Sequence, residues 1–332
     1  MRKTLIRLAI NTAIGVSLIL LWLRLVPLDQ VLAKLAETDP LIVFTGAILL
    51  ASGGILRGIR LYFILPEKSI RLKDSIMISS LSQLLSFVIP VRLGEITKGV
   101  YISTQAKIPF AKSLIWIFLD RFIDFWVVVT SVFILIVTMQ LLVSDSIRLS
   151  ITILSVIMTT GIVTVIYYPN IIKKIVRVIS AMLIIEQLKR LITNLTDFIL
   201  ESFSILPKNP KKQFIILFLT ILSWVFEATA WYLILFHLGV DGLTWQKALL
   251  GTLLVTLSFL IPAAPGYVGS LQASSVAIFS YLLGFDTITV SATAVVFNLV
   301  MFISVLIAGI PAIYLLNFDF KLVTDRLKQI RS

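Results

Sequence analysis

The sequence predicts an all-α polytopic membrane protein: about six transmembrane helices, two re-entrant helical hairpins in an inverted repeat, and a cytoplasmic amphipathic helix. Three observations predict it. The 332 residues are 58% hydrophobic and only 14% charged, with a mean hydropathy of +1.03, whereas soluble domains carry about 25% charged residues. Apolar runs at 41–64, 113–143, 150–168, 214–238 and 289–316, with another near 8–25, are long enough to cross ~30 Å of hydrocarbon as helix. Two further apolar stretches are interrupted at their centres by Pro and Gly.

Composition removes several chemistries. Without cysteine there is no disulfide, thiolate nucleophile or Cys-ligated metal. The single histidine, His237, excludes multi-His metal sites, argues against a Ser-His-Asp arrangement and reads as a polar cap at the outer end of its span. No metal or cofactor is expected. Of the 29 Lys and Arg, 21 fall before the first span, in 66–74, 98–112 and 169–213, and after 317, while only Arg24, Lys34, Arg148 and Lys247 occupy the opposite loops. The positive-inside rule therefore puts both termini in the cytoplasm of a protein integral to the cell membrane. The +12 net charge orients helices and meets anionic headgroups; nothing in the chain supports nucleic acid as a partner. Met1-Arg2-Lys3 and the first apolar stretch resemble a signal peptide, but no small-x-small site follows Leu25, so a retained anchor is expected.

The whole chain, 1–332, reads as one membrane domain. Its first unit, 41–143, begins with a full span and continues with a segment from Ser75 to Ile89. Fifteen residues of helix reach only ~22 Å. The segment runs into Pro90-Val91-Arg92-Leu93-Gly94-Glu95 and returns from Ile96, giving a hairpin over 75–104. The second unit, 214–316, repeats the plan with a hairpin over 247–283 broken at Pro262-Ala263-Ala264-Pro265-Gly266-Tyr267. Irregular backbone at membrane depth survives only inside protein or along a polar cavity, so both tips should face one.

Superposing the tips exposes the repeat. Ser86 to Glu95 against Ser258 to Tyr267 gives five identities in ten positions at an offset of 172, and the flanking spans keep nearly the same spacing. With both termini inside, the first hairpin enters from the cytoplasm and the second from outside. Inverted repeats with broken helices near the midplane are the plan of alternating-access transporters.

Charges at membrane depth should pair, because each costs ~2.5–3.5 kcal/mol to insert. They are Arg57, Arg60, Arg92 and Arg121 against Glu95, Asp120, Asp124 and Glu227. Arg57 and Asp120 each lie eight residues from the cytoplasmic end of their spans, ~12 Å deep, so Arg57 and Arg60 are matched with Asp120 and Asp124, which share one helix face. This network either holds helices together or serves a substrate. Arg92, at the hairpin tip, offers a fork suited to a phosphodiester. Glu95 either balances Arg92 or receives a cationic headgroup or proton. Glu227 has no partner nearby in sequence and reads as a neutral hydrogen-bonded carboxyl or a proton relay.

Between the units, Ile171, Ile175, Val178, Met182, Ile185, Leu188, Ile192, Leu195 and Ile199 recur at steps of three and four. An amphipathic helix over 171–206 follows, lying on the membrane surface, on the protein's cytoplasmic face or on a second subunit of a homo-oligomer.

Pro90-x-Arg92-x-Gly94-Glu95, the Arg57 to Arg60 pair and Asp120-Arg121-x-x-Asp124, taken together, resemble the transmembrane region of lysylphosphatidylglycerol synthases, a flippase-like membrane family. A second signature, roughly P-x-x-P-G-G-x-G-x-x-E, is met by Pro262, Pro265, Gly266 and Gly269, with Tyr267 in place of a Gly and Gln272 where the acid often stands. The resemblance implies translocation of an amphiphilic lipid, anionic or polyprenyl-linked, between leaflets, with substrate contacts at Arg92, Glu95, Pro90, Gly94, Pro262, Pro265, Gly266 and Gly269. The chain ends about 15 residues past its last span, so no aminoacyl transfer is expected of it. The alternatives are a polytopic glycosyltransferase, with Asp29, Glu37 and Asp39 as outside acids, and an accessory protein for a lipid-modifying enzyme.

Overall fold

A computed structural model describes residues 27–66, 69–89, 93–139, 145–182, 186–204, 206–259 and 264–319, with Leu20 and Val323 besides. The described residues form α1 (Leu28–Ala36), α2 (Pro40–Ile64), α3 (Leu72–Val88), α4 (Leu93–Ala106), α5 (Phe110–Thr138), α6 (Asp145–Tyr167), α7 (Pro169–Met182), α8 (Glu186–Ser204), α9 (Pro210–His237) and α10 (Trp245–Ser258). A 3-10 turn (Pro265–Tyr267), α11 (Ser270–Ser275) running on as a π-helical segment (Val276–Leu282), and α12 (Thr287–Leu315) complete the order. Five of the helices carry stretches long and apolar enough to span a membrane: Pro40–Ile64, Phe110–Thr138, Leu149–Tyr167, Pro210–His237 and Thr287–Leu315. The chain is an all-helical polytopic membrane protein. The expected span near 8–25 lies outside the described residues apart from Leu20.

A long helix, two short ones and a long helix occur twice, on either side of α6 to α8, and the two leading helices start alike. Asp39 caps α2 by accepting from the Leu41 N–H at 2.8 Å, and Asn209 caps α9 by accepting from the Lys211 N–H at 2.9 Å. In each a Pro follows at the first turn, where no amide donor is missed.

These leading helices pack against each other antiparallel. The Asp39 N–H donates to His237 Nε2 at one end (3.0 Å), a Cβ on Gly53 would lie 3.3 Å from the Ser223 carbonyl at the middle, and Arg60 Nη1 donates to Thr220 Oγ1 (3.2 Å) at the other. Small residues there let the backbones approach, the main source of helix association where lipid competes for apolar contact. The antiparallel crossing places Arg71, Lys107, Lys112, Lys208, Lys211 and Lys212 at one end of the bundle, since each flanks a helix terminus there. Lys34 and Lys247 lie at the opposite end, Lys247 against Phe285 before α12.

The α3–α4 hairpin starts from the basic end and the α10–α11 hairpin from the other. The arms of the first close at Gly94, where a Cβ would lie 2.0 Å from the Ser82 carbonyl oxygen and 2.2 Å from Ser86 Oγ. No larger residue fits without parting the arms. The hairpins meet through Phe87 and Tyr267, ring centroids 6.3 Å apart, with the Phe259 ring tilted against Tyr267 at 4.5 Å. Around the second hairpin the core centres on Trp231, 5.0 Å from Phe279 and 4.2 Å from Phe297. A second cluster beneath the first hairpin includes Leu61, Ile78, Ile102 and Trp116.

Of the amphipathic stretch expected over 171–206, the described residues form α7 and α8; residues 183–185 lie outside them.

Candidate functional site

Four elements supply buried charge, and their positions follow from helical spacing. Arg57 and Arg60 stand three residues apart on α2, Glu95 and Lys98 three apart on α4, Asp120 and Asp124 four apart on α5, and Glu227 lies on α9. Arg60 is fully buried. Its guanidinium binds Asp120 Oδ1 (Nη2 at 2.6 Å, Nε at 3.1 Å) and both carboxylate oxygens of Asp124, including Oδ2 at 2.9 Å. The fork is bidentate to Asp124, one nitrogen to each carboxylate oxygen, while Nε and Nη2 both donate to Asp120 Oδ1 and leave Oδ2 open. Lys98, also buried, donates to Asp120 Oδ2. Arg121 reaches Glu95 Oε1 at 3.2 Å and lies 3.7 and 3.8 Å from Asp120 and Asp124. Three cations and three carboxylates thus close one neutral network.

Arg57 stands apart from it. Its Nη2 donates to Glu227 Oε2 at 2.9 Å, and its guanidinium carbon sits 4.6 Å from the Trp224 ring centroid. The expected match of Arg57 with Asp120 or Asp124 is corrected: equal depth fixes height along the bundle, but Arg57 turns toward α9 and Arg60 toward α5. Glu227 is correspondingly not partnerless.

Where the hairpins meet, a cavity of about 370 Å³ opens. Its polar wall is Arg57, Glu227, Ser82, Gln83, Ser86, Glu95, Arg121 and Asp124; its apolar wall is Phe87, Phe259, Tyr267, Phe297, Met301 and Val305. Both ion pairs, Arg57–Glu227 and Arg121–Glu95, border this space, and Arg121 is half exposed to it. Three polar atoms of its lining residues are buried without a partner: Arg57 Nε, Glu95 Oε2 and Trp224 Nε1. An orphaned buried polar atom costs ~1–3 kcal/mol, but these three are closed off from the cavity surface. Among the described residues no group of His, Cys, Asp and Glu is placed to hold a metal.

Of the residues expected to contact substrate, Glu95 lines the cavity. Gly94 instead packs the hairpin arms together. Pro265, Gly266 and Gly269 form the turn that carries Tyr267 into the cavity wall. Gly266 and Gly269 have φ of +67° and +85°, the left-handed region that favours glycine. The turn is tied down by Asn298 Nδ2 donating to the Gly266 carbonyl (2.7 Å) and by the Gly269 N–H donating to Gln272 Oε1 (2.8 Å). Gln272, standing where an acid was expected, needs only an acceptor oxygen for that bond, and the amide supplies one. Tyr267 has φ +59°, which a Gly at that place would adopt without strain. Pro90, Arg92 and Pro262 lie outside the described residues.

Sequence reasoning missed Lys98, assigned to the basic loops, together with Gln83, Trp224 and Asn298. The signal for Lys98 was its i, i+3 spacing from Glu95, which puts both on the α4 face turned to α5. Gln83, Trp224 and Asn298 left none, being uncharged residues in apolar or weakly polar runs.

The profile of one family, described as the lysylphosphatidylglycerol synthase TM region, matches residues 7–309, and the chain belongs to that family. No curated protein matches it.

Proposed function

We propose that this member of the lysylphosphatidylglycerol synthase transmembrane family moves an amphiphilic lipid between leaflets, its headgroup passing through the cavity between the two hairpins. The observation that carries the reading is that hairpins starting from opposite ends of the bundle meet at a cavity walled by two ion pairs. Embedded in a membrane, such hairpins are re-entrant, and the antiparallel leading helices make the two units an inverted repeat suited to alternating access. The basic end of the bundle faces the cytoplasm of the cell membrane, with both termini there. An anionic or polyprenyl-linked headgroup competes with Glu95 for Arg121 and with Glu227 for Arg57, while the acyl or prenyl chain stays along the apolar wall and in lipid. Arg92 adds a further cation from the tip sequence. The chain acts as a transporter and not as an enzyme, and a lipid-modifying enzyme is a natural neighbour for it.

The test is purified protein in liposomes, read for leaflet exchange of labelled anionic and polyprenyl-linked lipids. Wild type accelerates exchange of at least one class. Arg121→Lys keeps the charge but loses the planar fork, so it transports more slowly at an unchanged melting temperature, and Arg92→Lys does the same. If wild type moves neither class, the accessory-protein reading replaces this one.

A further inference from the structure

We infer that α7 (Pro169–Met182) is a docking surface for anionic membrane lipid, lying along the headgroup layer with its open apolar edge in the acyl chains. The helix carries Lys173, Lys174 and Arg177 and no acidic residue. Its apolar arc is divided: Ile172 and Val176 are half-buried, on the edge next to α6 and α8, while Ile171, Ile175 and Val178 are 48%, 48% and 53% exposed. At 100° per residue those three fall within one narrow stripe; Lys173 and Arg177 fall on the opposite half of the helix and Lys174 at the stripe's margin. A half-covered apolar arc backed by cations is the pattern of a helix lying in the interface plane.

The helix is also placed for it. It follows the apolar span Leu149–Tyr167 after a single residue, and the junction residues Tyr167 and Tyr168 are both exposed. Paired tyrosines at the end of a span mark the level where apolar chain meets headgroup. On α6 itself, Ile153, Val156 and Ile157 are exposed. Lys208, Lys211 and Lys212 stand at the same end of the bundle, so α7 sits within a basic ring. Cations at such a surface attract anionic lipid by roughly fivefold each at physiological salt. The aromatic contacts Phe118–Phe198 (5.0 Å) and Phe122–Phe203 (5.2 Å) tie α8, and α7 with it, to the helix bearing Asp120 and Arg121.

The chain has no cysteine, so Ile175→Cys gives a single labelling site. The full-length protein, labelled there with an environment-sensitive dye, is placed in nanodiscs of phosphatidylcholine alone or mixed with phosphatidylglycerol, each with brominated acyl chains. Docking predicts a blue-shifted dye whose quenching is at least roughly twofold stronger with phosphatidylglycerol and falls with salt. The triple variant Lys173→Gln/Lys174→Gln/Arg177→Gln should abolish the phosphatidylglycerol effect while leaving the melting temperature unchanged. A dye exposed to water in both lipids would overturn the inference. So would a dye shielded equally in both, with shielding that depends on the number of copies per disc, which would make the occupant a second copy of this chain.

Discussion

The two hairpins do the same geometric job with different chemistry. The first is held by charge: Glu95 and Lys98 on α4 grip Arg121 and Asp120 on α5, and the arms close over Gly94 with no room to spare. The second brings no ionised side chain to its described tip. It is shaped by left-handed backbone at Gly266, Tyr267 and Gly269, by side-chain bonds from Asn298 and Gln272, and by the Phe259–Tyr267 contact. The first unit therefore supplies most of the cavity's charge, with Glu227 of the second pairing Arg57, and the second unit supplies most of its apolar wall, with Phe87 of the first added to it. The same Ser-Phe-x-Ile-Pro sequence occurs in both hairpins, next to different chemistry in each.

That contrast is broken most severely at Asp120, which serves both Arg60 and Lys98 from complete burial. Asp120→Asn strands two buried cations and should cost ~3–5 kcal/mol of stability, read as lost folded yield and a lower melting temperature. Lys98→Met added to it should restore part of that loss, because the network then holds two cations and two acids again. Strict additivity of the two changes would show that they do not interact.

The outline of this architecture was readable in the sequence because apolar runs fix spans and Pro-Gly interruptions fix hairpins. The Arg60 pairing was readable too, since depth along two helices is arithmetic. Arg57 was not, because depth leaves open which neighbour a side chain turns toward; its partner lies 170 residues away on α9. Lys98 was hidden by its context: a cation on a short broken helix looks like loop charge until the hairpin folds it inward. Tyr267 read as a departure from a glycine pattern, whereas its ring, between Phe87 and Phe259, is what joins the hairpins.

A second change sharpens the comparison through backbone packing. Gly94→Ala forces a Cβ into the Ser82 carbonyl and should cost about 3 kcal/mol through parted arms; thermal unfolding in detergent checks it. The second hairpin should respond more mildly. Gln272→Ala removes the acceptor for the Gly269 N–H, a loss of about 1–2 kcal/mol, and Gln272→Glu should keep the bond and most of the stability. If Gln272→Ala destabilised as much as Asp120→Asn, the division into a charge-held and a turn-held hairpin would be wrong.

The central claim is that lipid headgroups pass where the hairpins meet, and the contact between Phe87 and Tyr267 allows a direct test. In this cysteine-free chain, Phe87→Cys/Tyr267→Cys can be joined by a short reducible cross-linker in reconstituted liposomes, with leaflet exchange of labelled lipid measured before joining, after it and after reduction. Transport through the cavity predicts exchange before joining, its loss on cross-linking and its return on reduction; exchange at the same rate in all three states would contradict it.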